Sequence, residues 1–282
     1  MKYGVIGGSG LYQMEELEQV EEIKIETPFG DPSDLLIRGK LCGKEIIFLP
    51  RHGRGHRLLP SEINYRANIW AMKSLGVTHL VSVSAVGSLK EEIAPGHIVI
   101  PDQFYDRTKD RPSTFFGDGI VAHVQFGNPV CGDLCNGLET AVKASGVSYH
   151  RGGSYVCMEG PLFSTKAESN FYRQIGASVI GMTNLQEAKL AREAELCFGT
   201  IALSTDYDCW HDEEVTLEAV LKVMAQNVGN SKIILKSLVE NYTPDTSCGH
   251  QNALEFAIVT DRSMIPEATK EKLKPITGKY LD

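Results

Sequence analysis

Short apolar runs alternate with amphipathic stretches along most of the chain. Runs rich in β-branched residues predict strands over residues 4–6, 35–37, 45–49, 78–86, 98–100, 153–158, 178–182 and 197–204. Apolar positions at helical spacing predict helices that start near residues 61, 131, 166, 185 and 217. Strands that alternate with helices pack as a sheet covered on both faces. The pattern therefore predicts an α/β protein, with a single-domain three-layer fold whose central mixed sheet is flanked by helices.

The segments between the predicted elements add detail. Residues 39–43 have the composition of a turn, and Ser61 and Gly76 are the expected cap and stop of the first helix. Residues 106–130 are rich in Gly, Pro, Asp and Phe and predict a long loop, a feature that is usually functional in a compact domain. No repeat or linker divides the chain, which predicts one domain over residues 1–282. We expect its Lys-rich end, about residues 265–282, to be a loosely held tail.

Composition narrows the class of protein. The chain has 282 residues, with 28 Lys and Arg against 36 Asp and Glu, and a formal net charge of −8. This acidity argues against nucleic acid or an anionic membrane as a partner, because both need a basic surface. No apolar run approaches the roughly 20 residues that cross a bilayer, and the N-terminus lacks the apolar core of a signal peptide. Seven scattered cysteines suit reduced thiols, so we expect a soluble cytoplasmic protein.

Cys131 and Cys135 are the two cysteines closest in sequence, four residues apart on a predicted helix. A zinc site of this kind needs a second pair at similar spacing, which the sequence lacks. We therefore expect both thiols to pack in the core, and we expect no metal ion.

Three polar segments at predicted strand ends are candidates for anion binding. Residues 7–10 could bring backbone N–H groups and the Ser9 hydroxyl to an anion, and an ordinary turn is the alternative. These residues lack the third glycine of a dinucleotide-binding loop. Residues 51–56 place Arg51 beside His52 among glycines, which suits phosphate better than metal, with a solvated loop as the alternative. Further along, Ser84 can donate to an anion, although its segment alone is typical of a buried strand and turn.

A fourth polar segment contains two carboxylates. Asp206 and Asp208 follow a predicted strand, and residues two apart in extended chain face the same way. Two close carboxylates that are partly removed from water raise the pKa of one of them, which then stays protonated and can act as an acid. Without further context, a solvated acidic turn is the alternative.

These segments, in this order, resemble the trimeric purine nucleoside phosphorylase family, in particular its 5′-methylthioadenosine phosphorylase branch. The resemblance extends from the N-terminus to about residue 240, and nothing is carried over beyond that point. The residues that carry it are 4–11, 27–30, 51–53, 64–71, 85–89, 102–104, 106–108, 158–164 and 205–210.

The resemblance implies phosphorolysis, in which 5′-methylthioadenosine and phosphate give adenine and 5-methylthioribose 1-phosphate. The chain would then be an enzyme of purine and methionine salvage, a pentosyltransferase that assembles as a homotrimer. Inorganic phosphate is a co-substrate in this reaction, and no metal or organic cofactor is implied. The alternative within the family is a purine nucleoside phosphorylase of broader or 6-oxopurine specificity.

The family pattern also implies roles for individual residues. The residues that would surround phosphate are Ser9, Arg51, His52, Ser84, Ala85 through its amide, and Thr183. The carboxylates that would face the purine are Asp206 and Asp208. The remaining substrate contacts would be Phe163 and Ser164 at the base, Met182 under the ribose, Leu217, Val220 and Leu221 along the methylthio group, and His123 from a neighbouring subunit. Core packing is the alternative for Phe163, Met182 and the three aliphatic residues. Gln186 stands where many relatives have proline, so the start of its helix is an open point.

Base selectivity can be argued from Asp206 itself. Adenine presents N7 as an acceptor and a 6-amino group as a donor, and a protonated carboxyl group can donate to the first and accept from the second. A 6-oxopurine would instead place its oxygen against a carboxylate oxygen. A mispaired buried polar group costs several kcal/mol, on the order of 10³-fold in discrimination. We therefore expect a preference for 6-aminopurines.

Two other classes of function compete with this one. A dinucleotide-dependent oxidoreductase is disfavoured by the missing third glycine after residue 10. A non-catalytic nucleoside-binding module would have no use for phosphate contacts at Arg51, His52 and Ser84. Dependence of activity on phosphate therefore separates an enzyme from a binding module.

Overall fold

The structure is a computed structural model that describes residues 1–8, 10–211, 217–245 and 248–281, without the side chains of residues 217 and 219–221. The strands are, in chain order, β1 (Tyr3–Gly7), β2 (Glu18–Ile23), β3 (Leu36–Leu41), β4 (Lys44–Pro50), β5 (His79–Ser88), β6 (Ile98–Ile100), β7 (Gln103–Arg107), β8 (Tyr149–Arg151), β9 (Ser154–Met158), β10 (Val179–Gly181) and β11 (Cys197–Tyr207). The helices are α1 (Tyr65–Ser74), α2 (Gly132–Ser145), α3 (Lys166–Gln174), α4 (Asn184–Glu193), α5 (Leu217–Asn241) and α6 (Glu267–Leu281). Two short 3-10 helices cover His250–Asn252 and Arg262–Met264.

All these strands belong to one mixed sheet. Its main path runs β2-β3-β4-β1-β5-β10-β9-β7, while β11 pairs with β5 and β6, and β6 pairs with β8. The strands β4, β1, β5 and β11 are parallel, so their carboxyl ends meet at one edge of the sheet, where open α/β sheets bind ligands. The helices pack in two groups, α2 with α5, and α1 with α4 and α6. The predicted fold class, a mixed sheet flanked by helices, is confirmed.

The central strand β5 has an opening on one of its edges. On the other edge, β11 accompanies it over its whole length. On the open edge, β1 pairs with residues 79–82 and β10 with residues 87–88, and no described strand pairs with residues 83–86. Ala85 is the one exposed residue of this otherwise buried strand. We call residues 83–86 the β5 gap, because no described strand covers this edge of β5.

Three local predictions differ from the structure. The strands β2, β7 and β8 were not predicted, because their residues are exposed or half-buried and form no buried apolar run; β7 also enters the predicted loop of residues 106–130. Gly39 lies inside β3 rather than in a turn; a Cβ there would lie 2.8 Å from Leu17, so glycine is needed for close packing. Helix α1 begins at Tyr65 and is capped by the Asn64 side chain, not by Ser61, whereas its end before Gly76 is as expected.

The C-terminal segment is not the loosely held tail that we expected. Residues 267–281 form α6, whose side chains Leu273 and Ile276 are buried in the main core. The indole of Trp70 donates to the Lys272 carbonyl over 3.1 Å, and Lys279 forms an ion pair of 2.8 Å with Glu195. Among the described residues, no helix is long and apolar enough to cross a membrane.

Candidate active site

Polar residues from four separate segments converge on the β5 gap. The backbone N–H of Arg51, directly after β4, donates to the Gly7 carbonyl over 2.9 Å. On the other side of the gap, the chain leaves β10 through Met182 and Thr183, and Asn184 then donates to the Ser82 hydroxyl over 2.8 Å. The register places Ala85 opposite Leu203 and Gly87 opposite Asp206 on β11. The parallel strands thus bring most of the predicted site residues to one place.

Arg51 is held more tightly than the sequence suggested. It is 3% exposed and forms a buried ion pair with Glu187, with Nη2 2.9 Å from a carboxylate oxygen. Nη2 also donates to the Ser82 hydroxyl, and Nη1 donates to the Val83 carbonyl inside the β5 gap. Nη1 makes one hydrogen bond within the described part of the chain, so its second N–H is the donor that phosphate could use. The phosphate contact of Arg51 stays a prediction, and it is restricted to this one atom.

His52 is neutral near pH 7. Burial lowers the pKa of its imidazole to about 4, and the charge of Arg51 and the neighbouring His56 add to this effect. Nδ1 lies 2.8 Å from the Leu58 carbonyl and must donate to it, since a carbonyl only accepts. Nε2 is then an acceptor, which suits a hydroxyl group of phosphate better than a charged oxygen.

Two predicted anion contacts, the Ser84 and Thr183 hydroxyls, lie on β5 and at the start of α4. Ser84 is almost fully buried, and its hydroxyl lies 3.1 Å from the phenol of Tyr155. Thr183 occupies the N-cap position of α4 but makes no side-chain capping hydrogen bond. Its hydroxyl is therefore not used by the helix, and the N-terminus of α4 adds positive potential beside it.

The two carboxylates lie together over Gly87. A Cβ at Gly87 would be 3.3 Å from Asp206 Oδ1 and 3.4 Å from Asp208 Cβ, so the absence of a side chain makes room for both. The pairing of β11 with β5 shifts register between Ser204 and Asp206, and such a bulge redirects the side chains that follow it. The alternative prediction, that these two carboxylates form a solvated acidic turn, is excluded because Asp206 is half-buried and Asp208 is 6% exposed.

Asp206 has the properties of an acid. Burial raises the pKa of its carboxyl group, and the charge of Asp208 raises it further. The Thr205 hydroxyl donates to Asp206 Oδ2 over 2.6 Å, which opposes the rise. The direction of the shift agrees with the expectation for two close carboxylates. Burial is the larger cause, not repulsion between the pair.

The segment of residues 158–165 closes the site on the base side. Gly160 has a φ of +70°, and a Cβ there would lie 2.5 Å from Met182 Sδ, so only glycine lets this segment lie against Met182. The Ser164 carbonyl accepts a hydrogen bond of 3.3 Å from the Cys209 thiol, next to Asp208. Phe163 is 79% exposed, which excludes the alternative that it is a core residue.

Gln186, which stands where many relatives have proline, does not prevent α4 from forming. The helix begins at Asn184 without the proline of many relatives, and Gln186 uses its side chain to hold the long loop. Its Nε2 donates to the Thr108 hydroxyl over 2.8 Å, and its Oε1 accepts from Arg111 over 3.3 Å. Arg111 in turn donates to Glu159 and to the Met182 carbonyl, so the loop is tied to the base side of the site.

Some predicted residues are not brought together. His123 is exposed and lines a cleft of about 740 Å³. None of the other described residues that line this cleft is a predicted site residue. Ser9 lies outside the described residues. Leu217, Val220 and Leu221 belong to the start of α5, and their side chains also lie outside what the structure describes.

Three residues of the site carried no recognisable sequence signal. Glu187, which neutralises Arg51, is 136 positions away from it in sequence. Tyr155 has the pattern of an ordinary strand residue, yet its hydroxyl reaches Ser84 because Gly181 leaves space for the ring. Arg111 lies in a loop whose composition indicated only irregular structure. All three could be found only from the fold.

Comparison with known proteins agrees with this architecture. Residues 2–240 match the family model of the phosphorylase superfamily. The S-methyl-5′-thioadenosine phosphorylase of Geobacter sulfurreducens is 59% identical over 281 residues, which cover 99% of this chain and 98% of that protein. The same-named protein of Koribacter versatilis is 57% identical over 98% of this chain and 96% of its own length.

Two solved structures give the same result. A methylthioadenosine phosphorylase from an Antarctic soil metagenomic library superposes with a TM-score of 0.94 at 47% identity, covering 98% of both chains. A Schistosoma mansoni adenosine/methylthioadenosine phosphorylase variant in complex with methylthioadenosine superposes with a TM-score of 0.83 at 35% identity, covering 90% of this chain and 96% of that one. The chain therefore belongs to the phosphorylase superfamily and, within it, to the S-methyl-5′-thioadenosine phosphorylase family.

Proposed function

We propose that this protein cleaves 5′-methylthioadenosine with phosphate, giving adenine and 5-methylthioribose 1-phosphate. The observation that carries the proposal is Asp206, a half-buried carboxyl group with a raised pKa, beside the β5 gap. This position supports Asp206 as the proton donor for a leaving purine, next to hydroxyls that suit an anion. The relatives named above, whose sequences match nearly the whole chain, support this substrate.

Phosphate occupies the β5 gap in this proposal. The Ser84 and Thr183 hydroxyls, the Ala85 amide and the free Nη1 donor of Arg51 bind its oxygens, and Ser9 contributes a further hydroxyl. His52 accepts from a phosphate hydroxyl through Nε2. The site supplies hydrogen-bond donors more than net charge, because Glu187 already balances Arg51. Such fixed donors need no rearrangement when charge develops on the sugar.

The chemical step needs an acid and a nucleophile. As the bond between C1′ and N9 breaks, its electron pair moves into the purine, and Asp206 gives its proton to N7. The sugar becomes cationic, and a phosphate oxygen then bonds to C1′. Burial keeps the pKa of Asp206 raised, and the charge of Asp208 adds to this. The Asp206 carboxylate is reprotonated from solvent after adenine leaves, and no covalent enzyme intermediate and no metal or organic cofactor takes part.

The remaining contacts orient the nucleoside. Phe163 and Ser164 contact the base, Met182 lies under the ribose, and Leu217, Val220 and Leu221 enclose the methylthio group. His123 completes the site of a neighbouring subunit in a homotrimer. Its exposure, and its place in a cleft apart from Asp206, support a role toward another chain. Seven unpaired thiols support a cytoplasmic location.

The phosphate assignment can be tested at Thr183. We expect Thr183→Ala to raise KM for phosphate about tenfold, since one hydrogen bond to a charged group is lost, and to leave KM for 5′-methylthioadenosine within about twofold. Thr140→Ala, which removes a helix hydroxyl elsewhere, is the matched control. An unchanged KM for phosphate in Thr183→Ala would contradict the assignment.

Sedimentation velocity tests the assembly separately, and a monomer with full activity would exclude the role of His123.

A further inference from the structure

Three cysteines that are far apart in sequence meet at one point of the fold. Cys131 precedes α2, Cys197 begins β11, and Cys248 follows α5. Their sulfur atoms all lie within 4.8 Å of one another, and those of Cys197 and Cys248 are 3.2 Å apart. Cys135, four residues along α2 from Cys131, lies outside this cluster. The sequence predicts an ordinary core thiol at Cys131 because only the fold brings the other two cysteines to it.

The spacing of the sulfur atoms fits a metal ion better than a disulfide. A disulfide holds two sulfurs at about 2.05 Å and leaves the third without a partner. A zinc ion bound at about 2.3 Å to each thiolate holds the three sulfurs about 3.8 Å apart. The distance of 3.2 Å between Cys197 and Cys248 and the upper limit of 4.8 Å on the other two separations bracket this value. Small side-chain rotations would therefore place all three sulfurs at bonding distance from one ion.

A candidate fourth donor lies outside this 4.8 Å group, in the segment that carries Cys248. His250 follows Cys248 by two residues, and both of its ring nitrogens are buried without a hydrogen-bond partner among the described residues. A buried imidazole in that state is costly unless it has a ligand. His250 also lines the same cleft as Cys248. Three thiolates and one imidazole form a usual tetrahedral donor set for zinc.

The start of α2 stabilises negative charge on the Cys131 sulfur. Cys131 is the N-cap residue of α2, and its sulfur accepts a hydrogen bond of 3.5 Å from the Leu134 N–H. A helix N-terminus favours the thiolate form of cysteine. The guanidinium of Arg192 lines the same cleft as Cys248 and His250 and is fixed by its hydrogen bond to the Gln125 carbonyl. Three thiolates and Zn²⁺ carry one net negative charge, which this guanidinium offsets.

We propose that Cys131, Cys197 and Cys248 bind a zinc ion, with His250 as the fourth ligand. The ion enters from the cleft of about 740 Å³, whose walls include Cys248 and His250. Each thiol gives its proton to water as the ion binds. Zinc fits because soft thiolates and an imidazole in tetrahedral geometry select it over the harder divalent cations. The site is structural, because a full set of four protein ligands leaves no position for substrate.

The ion would stabilise the part of the fold that carries His123. The segment after Cys248 runs beside the long loop, where the His123 N–H donates to the Ala257 carbonyl over 2.9 Å and Ala122 pairs with Ile258. The ion would join this segment to β11 and α2. Loss of zinc should therefore loosen the region around His123 without altering Asp206.

The test measures metal content and cobalt spectra of the whole chain. The protein is expressed with zinc, purified in reductant without chelator, and analysed by elemental and native mass spectrometry. We expect about one zinc per chain in the wild type and in the matched control Cys135→Ser, and a loss of at least about tenfold in Cys131→Ser and Cys248→Ser. Replacement by Co²⁺ should give the visible absorption of a tetrahedral thiolate complex, which Cys248→Ser loses.

Two features keep the test decisive. If Cys131→Ser does not fold, as judged by circular dichroism, Cys248→Ser and His250→Ala change half-buried positions and still report on the site. We expect His250→Ala to weaken zinc binding about 10-fold to 100-fold. The proposal is overturned if the reduced wild type binds neither zinc nor cobalt, or if Cys131→Ser and Cys248→Ser retain the wild-type zinc content. It is also overturned if the chain isolated in reductant contains a disulfide among these cysteines and no metal.

Discussion

Replacement of Asp206 by asparagine separates proton donation from base binding. The amide has the shape of the carboxyl group, and it can still donate to N7 and accept from the 6-amino group of adenine. Thr205 permits either orientation of the amide. Its hydroxyl can donate to the amide oxygen, or it can accept from the amide nitrogen and donate instead to the Val86 carbonyl. The binding of adenine nucleosides should therefore change little.

The catalytic step should change strongly. The amide cannot give a proton to the leaving purine, and loss of a positioned acid costs about 10²-fold to 10⁴-fold in rate. We expect kcat for 5′-methylthioadenosine to fall by at least about 10²-fold, or about 3 kcal/mol, with KM within about threefold. With a 6-oxopurine, the amide can donate to the 6-oxygen and accept from N7–H in the transition state. The ratio of kcat/KM for the amino over the oxo substrate should therefore fall about 10³-fold.

The assay is base release from 5′-methylthioadenosine and 5′-methylthioinosine at saturating phosphate, followed by chromatography. Asp118→Asn, an exposed carboxyl-to-amide change, is the control and should match the wild type. The pH profile gives a second readout. Because the pKa of Asp206 is raised, the wild-type kcat should fall as pH rises through that pKa, and the Asp206→Asn variant should lack this limb. An unchanged selectivity ratio, or an unchanged pH limb, would refute the role of Asp206.

Three further predictions concern stability. Because the folded pKa of His52 is about 4, below its unfolded value near 6.5, the unfolded chain binds more protons between these values. Stability should then fall by about 1 kcal/mol from pH 7 to pH 5, a figure halved for partial exposure; urea titrations of the wild type and His52→Asn should differ in this slope. Glu187→Gln should destabilise the fold by about 3–5 kcal/mol in urea, because the buried Arg51 loses its counter-charge; a wild-type midpoint would show that the pair is unimportant. Leu273→Ala should cost about 2–5 kcal/mol, since α6 packs in the core, whereas an unchanged Tm would mean that α6 is detached.

Sequence predicted the elements whose signals are local. Buried strands such as β5 and β11 are apolar runs, and because parallel strands end at one edge of a sheet, their ends predict that Ser84 and Asp206 share that edge. By contrast, β2 gives no signal because its residues face water, and it is a strand only because it pairs with β3. Gly39 was assigned to a turn because the sequence alone does not distinguish a glycine that is needed in a turn from one that is needed for close packing. In the structure, Gly39 is needed for close packing against Leu17.

The contacts that set the hydrogen bonding and the pKa values of the site residues could not be predicted from local sequence patterns. The pairing of Arg51 with Glu187, which limits how phosphate can bind, joins residues 136 positions apart. Burial lowers the pKa of His52 and raises that of Asp206, and burial depends on the tertiary fold. The cysteine cluster likewise forms only when α2, β11 and the segment after α5 pack together.

The most direct measurement of the central claim is base release from four nucleosides, each with and without phosphate. The substrates are 5′-methylthioadenosine, 5′-methylthioinosine, adenosine and inosine. We expect adenine release that requires phosphate and is fastest from 5′-methylthioadenosine. Preference for an inosine substrate would contradict the role given to Asp206, and base release without phosphate would contradict phosphorolysis itself.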